Sequence, residues 1–187
     1  MKEILLIRYG ELGLKGDNRA EFERALHRHM DWAIRDMPRA WVSRSHGRFY
    51  VEGTFDGPLL LKRLSMTPGI VAVNPAVKVA SEMPSIAEAA VACSEEAVSK
   101  KGFRTFKVEA RRSDKRFPLT SPEINKELGE AVLQGNEEVT VDVRSPQFTL
   151  HVEVRNTGTY IYWDEVRGPG GLPAGTSGRG LLLLSGG

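Results

Sequence analysis

The sequence predicts an α+β fold in two consecutive units, and three observations carry that prediction. Residues 1–80 show strand and helix patterns in the order β-α-β-β-α-β, which is the split βαβ, or ferredoxin-like, arrangement. Residues 81–166 follow with α-β-α-β-β-β, a second mixed α/β unit. Eight of the thirteen residues from Gly168 to Gly180 are glycine or proline, so 167–187 reads as a flexible tether followed by the start of something else.

Lys2–Arg8 is short and apolar, a buried strand, and Tyr9–Asp17 turns on Gly10, Gly13 and Gly16. Asn18 fits a helix N-cap with Glu21 as its capping-box partner. Phe22, Leu26, Met30, Ala33 and Met37 then keep helical spacing until Pro38 stops them. Trp41–Arg44 and Arg48–Glu52 flank Ser45-His46-Gly47, a hairpin signal. Gly57-Pro58 opens a helix carrying Leu60, Leu61 and Leu64, and a strand runs from Ile70 towards Val79. In the second unit Ser85 fits an N-cap with Glu88 three residues on, and Ile86, Ala90, Cys93 and Ala97 share a face. Lys100, Lys101 and Gly102 suit its C-terminus. Phe103–Glu109 reads as a strand, Ala110–Thr120 as a basic loop, and Ser121-Pro122 as the start of a helix bearing Ile124, Leu128 and Val132. Val139–Val143, Phe148–Arg155 and Thr159–Trp163 are strand-like.

Composition narrows the class. The chain has 187 residues, 41% hydrophobic and 27% charged, as in an ordinary globular protein. No apolar run approaches the ~18 residues that span a bilayer, and Lys2–Arg8 is too short for a signal segment, so no membrane contact and a cytoplasmic location are expected. Cys93 is the single cysteine, which excludes an intrachain disulfide and a multi-cysteine metal cage. The histidines lack zinc-type spacing, since His27 and His29 point in different directions from one helix. No metal site and no catalytic constellation are expected. The net charge of +2 says little, but Arg104–Arg116 holds six cations (Arg104, Lys107, Arg111, Arg112, Lys115, Arg116) against Glu109 and Asp114. A local basic patch between acidic flanks suits a positioned polyanion.

Two stretches suit phosphate. Tyr9–Arg19 is a Gly-rich turn before a helix, with Lys15 and Arg19 at the helix start. Its glycine spacing is not that of a dinucleotide fingerprint, and plain turn chemistry explains it as well. In Phe106–Ser121 a strand, a basic loop and a helix N-terminus with orphan N–H groups arrive together. A solvated charged loop is the competing reading, and Phe117 either stacks on a base or packs in the core. Cys93 lies on the apolar stripe of its helix and reads as a buried structural thiol rather than a sulfur carrier. Leu181–Leu184 running into Ser185-Gly186-Gly187 looks like the first strand and phosphate loop of a nucleotide-binding domain, so the chain is expected to be the front end of a larger enzyme.

Taken together these stretches resemble the tRNA 4-thiouridine synthase family, also called the thiamine-biosynthesis sulfurtransferase, along essentially the whole chain. Arg8-Tyr-Gly-Glu-Leu, Leu14-Lys-Gly, Asn18-Arg19 and Phe22-Glu23 are similar to its N-terminal ferredoxin-like domain. Phe106-Lys-Val, Arg111-Arg-Ser-Asp-Lys115, Phe117-Pro118 and Ser121 are similar to its THUMP domain, an RNA-binding module. Gly170-Gly171-Leu-Pro173 with Gly175, and the Leu181–Gly187 run, resemble the entry to its ATP-pyrophosphatase loop, which in the family continues with Asp-Ser.

The resemblance implies that residues 1–80 form the ferredoxin-like domain and 81–166 the THUMP domain. It makes 167–187 the linker and the beginning of the ATP domain, with Ser185, Gly186 and Gly187 as a partial ATP loop. The family uses ATP, with Mg2+, to adenylate O4 of uridine 8 in tRNA and replaces that oxygen with sulfur from a cysteine desulfurase persulfide. This chain alone is expected to bind the tRNA acceptor stem and 3′ end, to hold no ATP and to catalyse nothing. The RNA-binding set is Lys15, Arg19, Lys107, Arg111, Arg112, Lys115, Arg116 and Lys126, and family members act as homodimers. Two alternatives stay open: the RNA module of another THUMP-type tRNA-modifying enzyme, and a ferredoxin-like ligand-sensing or dimerisation module.

Overall fold

The computed structural model describes residues 1–10, 19–45, 47–176, 178 and 180. The expected Asn18 cap, Lys15, and the Leu181–Gly187 strand and loop lie outside the described residues. The elements are β1 (Lys2–Tyr9), α1 (Arg19–Ala33), β2 (Ala40–Ser45), β3 (Arg48–Gly53), α2 (Gly57–Ser65), β4 (Ile70–Val79), α3 (Met83–Lys101), β5 (Thr105–Arg112), α4 (Ser121–Gly135), β6 (Thr140–Val141), β7 (Phe148–Arg155), β8 (Gly158–Tyr162) and β9 (Val166–Arg167). This is the α+β order expected. The chain divides into two compact units: Leu6–Val73 with the described residues from Val166 onward, and Met1–Leu5 with Asn74–Glu165.

In the unit built on Leu6–Val73, the strands lie in the order β2-β3-β1-β4, with β9 pairing antiparallel on β4 (Ala72 opposite Arg167, Val73 opposite Val166). The stripe read from the sequence is the buried face of α1: Phe22, Leu26, Met30 and Ala33 all face inward. The helix does not wait for Pro38. It ends at Ala33, and Ile34–Met37 continue as turns, Met37 N–H donating to the Ile34 carbonyl at 2.8 Å. The orphan carbonyl of Ala33 is taken by Arg63 Nη1 at 2.7 Å. Asp56 caps α2, its carboxylate accepting from Leu59 N–H at 2.9 Å. The Gly/Pro stretch starts docked rather than free: Gly168 N–H donates to Val71 O and Gly170 N–H to Ile70 O.

Arg63 also makes a two-nitrogen fork on Asp36, which pulls that carboxyl down to about 2. A carboxyl lowered in the folded state stabilises above its ordinary 3.8 and loses that contribution as pH falls through about 2. In denaturant melts across pH, the stability gap between wild type and Asp36→Asn is therefore expected to be constant above about pH 4 and to shrink towards pH 2. A gap unaltered over that window would remove the pair from the acid response.

In the unit built on Asn74–Glu165, β4, β8, β7, β5 and β6 are neighbours in that order. β5 runs parallel to both β7 and β6, while β7–β8 and β8–β4 are antiparallel. Helices α3 and α4 cover one face. Ile86, Ala90, Ala97, Ile124, Leu128 and Val132 meet Phe106, Ala110, Leu150, Val152, Val154 and Ile161 in one core. Helix α3 begins earlier than expected: Glu82 precedes it with Pro84 in its first turn, and Ser85 lies inside rather than capping. Gly102 ends it in the left-handed conformation at φ +67°. Of the strand read over Val139–Val143, only Thr140–Val141 pairs. No helix among the described residues is long and apolar enough to cross a membrane.

Candidate nucleic-acid interface

The basic stretch is organised by strand alternation. The sequence placed Arg111 and Arg112 in a loop, but β5 continues through both, because Ala110, Arg111 and Arg112 pair with Val152, Glu153 and Val154 of β7. Successive side chains point to opposite faces. Phe106 and Ala110 enter the helix-covered core, and Arg112 shares their side, where Nη1 donates to the Phe117 carbonyl at 2.8 Å. Lys107, Glu109 and Arg111 share the other side, beside Thr149, His151 and Glu153 of β7. The β5 members of the expected cation set are thus divided between two faces of one sheet.

Each member has a distinct setting. Arg111 is 68% exposed and donates from Nη2 to Glu109 at 2.9 Å. That hydrogen bond is the main reason the Glu109 carboxyl lies below its ordinary value. The turn after β5 is pinned by Ser113 N–H on Val154 O at 3.0 Å. There Asp114 accepts from Arg116 through the backbone N–H, Nε and Nη2 at 3.0, 2.9 and 2.8 Å, and its carboxyl falls to about 2. Both carboxylates stay ionised at neutral pH. A guanidinium carries five N–H donors and two suffice for the Asp114 fork, so Arg111 and Arg116 keep donors for a phosphate. Lys115 is exposed and has no ion-pair partner among the described residues.

Phe117 packs in the core, which settles its two readings against base stacking. Thr120 opens α4, and Glu123 accepts both its backbone N–H and its hydroxyl at 2.7 Å. The Ile124 N–H, expected as an orphan donor, goes to the Thr120 carbonyl at 2.9 Å. Lys126 is 79% exposed on α4, 4.0 Å from Glu130.

Arg19, from the other expected phosphate stretch, lies in a cluster the sequence reading missed. Glu23, on α1, is 7% exposed; its Oε1 accepts from Tyr9 at 2.6 Å and Arg19 Nε at 3.0 Å, and its Oε2 pairs with Arg44 of β2. Burial alone would raise the Glu23 carboxyl, but the Tyr9 hydroxyl and the two guanidinium groups outweigh it and hold it low. The i,i+4 spacing of Arg19 and Glu23 was the available signal; nothing in the sequence pointed to Arg44. Cys93 is buried, and burial pushes its thiol up to about 12, which suits packing rather than sulfur transfer.

Known proteins share this organisation. Residues 4–74 match the ThiI ferredoxin-like domain and residues 80–164 match the THUMP domain. A protein of Alkaliphilus metalliredigens named "Probable tRNA sulfurtransferase" is 40% identical over 188 residues, covering 100% of this chain and 48% of the relative. One of the same name from Moorella thermoacetica is 44% identical over 183 residues, covering 98% of this chain and 46% of the relative. The crystal structure of a 4-thiouridine synthetase–RNA complex with bound ATP superposes with a TM-score of 0.88 at 37% identity, over 100% of this chain and 47% of that one. The chain spans about half the length of the curated relatives it matches. The chain therefore carries a ThiI ferredoxin-like domain followed by a THUMP domain, and over its whole length it is similar to about half the length of proteins named tRNA sulfurtransferase.

Proposed function

We propose that this chain is the tRNA-holding part of an enzyme that makes 4-thiouridine at position 8, and that it grips the acceptor stem and 3′ end. The observation that carries this reading is the likeness of the whole of this chain to about half of a 4-thiouridine synthetase complexed with RNA, together with the THUMP match over 80–164. The physics agrees. The major groove of an A-form stem is too deep and narrow for side chains to read, so a holder needs shape and phosphate contacts. Rigid strands and a pinned turn offer cations at fixed spacing. Arg111 and Lys107 on one sheet face, Lys115 and Arg116 in the turn, and Lys126 on α4 supply the contacts, while Arg112 braces the turn. Lys15 and Arg19 add a second basic position in the ferredoxin-like domain.

The rest of the enzyme would supply the chemistry. Uridine O4 is activated by ATP with Mg2+, the Ser185–Gly187 loop belonging to that site, and sulfur comes from a cysteine desulfurase, in the cytoplasm and in a homodimer. The described residues take part by holding and orienting RNA.

Filter-binding titrations with tRNA at two salt concentrations test the reading. Arg111→Ala/Lys115→Ala is expected to weaken binding about tenfold and to lower the salt slope by roughly 0.7–0.9 for each phosphate that is no longer neutralised. Affinity and slope equal to wild type would refute the assignment. A wild type without salt-dependent binding would favour the ligand-sensing alternative.

A further inference from the structure

The exposed side of α1 carries a feature that the RNA-binding set above does not include. Arg24, Arg28 and Trp32 recur every four residues, so they share one helix face. Arg24 and Arg28 are exposed and have no ion-pair partner among the described residues. The two carboxylates nearest along that face leave them alone: Glu21 pairs with neither, and Asp31 lies 3.3 Å from His27 Nδ1. Trp32 is 67% exposed. The Arg35 guanidinium lies 3.7 Å from its ring centroid while Nη1 donates to the Trp32 carbonyl at 2.7 Å. That contact holds the indole by one face and adds a cation beside it.

Two exposed arginines ending in an arginine-braced, solvent-facing indole form the kind of stripe that suits a single nucleic-acid strand. Guanidinium groups take successive phosphates, and an aromatic face takes an unpaired base. We propose that this α1 stripe is a second RNA contact, in which Arg24 and Arg28 bind the backbone of an unpaired stretch and Trp32 stacks on one of its bases. The inference rests on the RNA-binding reading above but concerns another surface, in the ferredoxin-like domain. A protein partner with an acidic face would also meet the arginines, but it would not need an unpaired base beside Trp32.

The test uses the chain as it stands and two RNA hairpins, one blunt and one with an unpaired 3′ tail. Binding is read by fluorescence anisotropy of labelled RNA. In wild type the tail is expected to add affinity. Trp32→Ala should weaken the tailed hairpin about tenfold and leave the blunt one within about twofold, because base–aromatic stacking disappears only where a base is free. Arg24→Ala/Arg28→Ala should weaken the tailed hairpin about tenfold and lower its salt slope by roughly 1.4. Lys101→Ala, which removes an exposed cation of the other unit, should change neither. Arg111→Ala/Lys115→Ala should weaken both hairpins, which keeps the two surfaces distinguishable. The proposal is overturned if the α1 variants bind the tailed hairpin like wild type, if Trp32→Ala weakens both RNAs alike, or if Lys101→Ala costs as much as the arginine pair. A wild type that binds neither hairpin removes the RNA-binding reading and this one with it.

Discussion

Glu153→Ala is expected to destabilise the THUMP unit by about 3–5 kcal/mol, the cost of stranding one partner of a buried ion pair. Glu153 is 3% exposed on β7. Its Oε2 accepts from Arg155 Nε and Nη2 at 3.0 and 2.7 Å, and its Oε1 accepts from the Tyr162 hydroxyl at 2.9 Å. The Arg155 side chain is 12% exposed, so without the carboxylate its charge has little water to turn to. In a chain of this size the loss lowers the thermal midpoint by roughly 10 °C. Glu153→Met with Arg155→Leu should recover most of that loss, because apolar side chains of similar volume commonly replace a buried pair at little cost. Calorimetry of the three proteins checks both. A Glu153→Ala midpoint within a degree or two of wild type would show that the pair is not energetically buried.

Gly53→Ala is the second large expected effect, at about 2–5 kcal/mol, summing an unfavourable backbone conformation and a steric clash. Gly53 ends β3 at φ +105°, and an added Cβ would lie 2.0 Å from the Arg39 carbonyl oxygen and 2.8 Å from Trp41 Cζ3. The oxygen is backbone and already accepts from Thr54 N–H at 3.1 Å, so it has no rotamer to escape into. Gly102→Ala is the matched control: φ is +67° there, with nothing within 4 Å of the new methyl, and about 1 kcal/mol is expected. Denaturant melts of the two variants separate strain from collision. Equal losses would show that β3 and the Arg39 turn move apart freely.

Much of this architecture is legible in the sequence because periodicity reports burial. The α1 stripe and the Ile86–Ala97 face point where their spacing says, and Phe148–Arg155 is a strand with the bounds read for it. The β-α-β-β-α-β order of the first unit follows from the same signal. Where local chemistry competes with tertiary pairing, the sequence misleads. Arg111 and Arg112 look like loop because they are charged, yet they extend β5, since β7 supplies backbone partners for them. Pro38 looks like the helix stop, but the chain leaves α1 earlier, where Arg63 takes the Ala33 carbonyl. Glu153 sits in His-Val-Glu-Val-Arg, whose alternation places it away from the apolar core but not whether that other face is wet. Burial there depends on strands distant in sequence, which no window of neighbours can report. The same holds for Glu23 and Arg44, twenty-one residues apart and joined only by the fold.

The pairing of β9 with β4 sets a timetable for synthesis. Val166 and Arg167 pair with Ala72 and Val73 of β4, and β1 to β4 are all translated by Val79. On the ribosome the ferredoxin-like domain must wait, with Ala72 and Val73 lacking that neighbour, while more than ninety residues of THUMP sequence emerge. The ferredoxin-like domain is expected to gain the protease protection that this pairing gives only after the whole THUMP unit has left the exit tunnel.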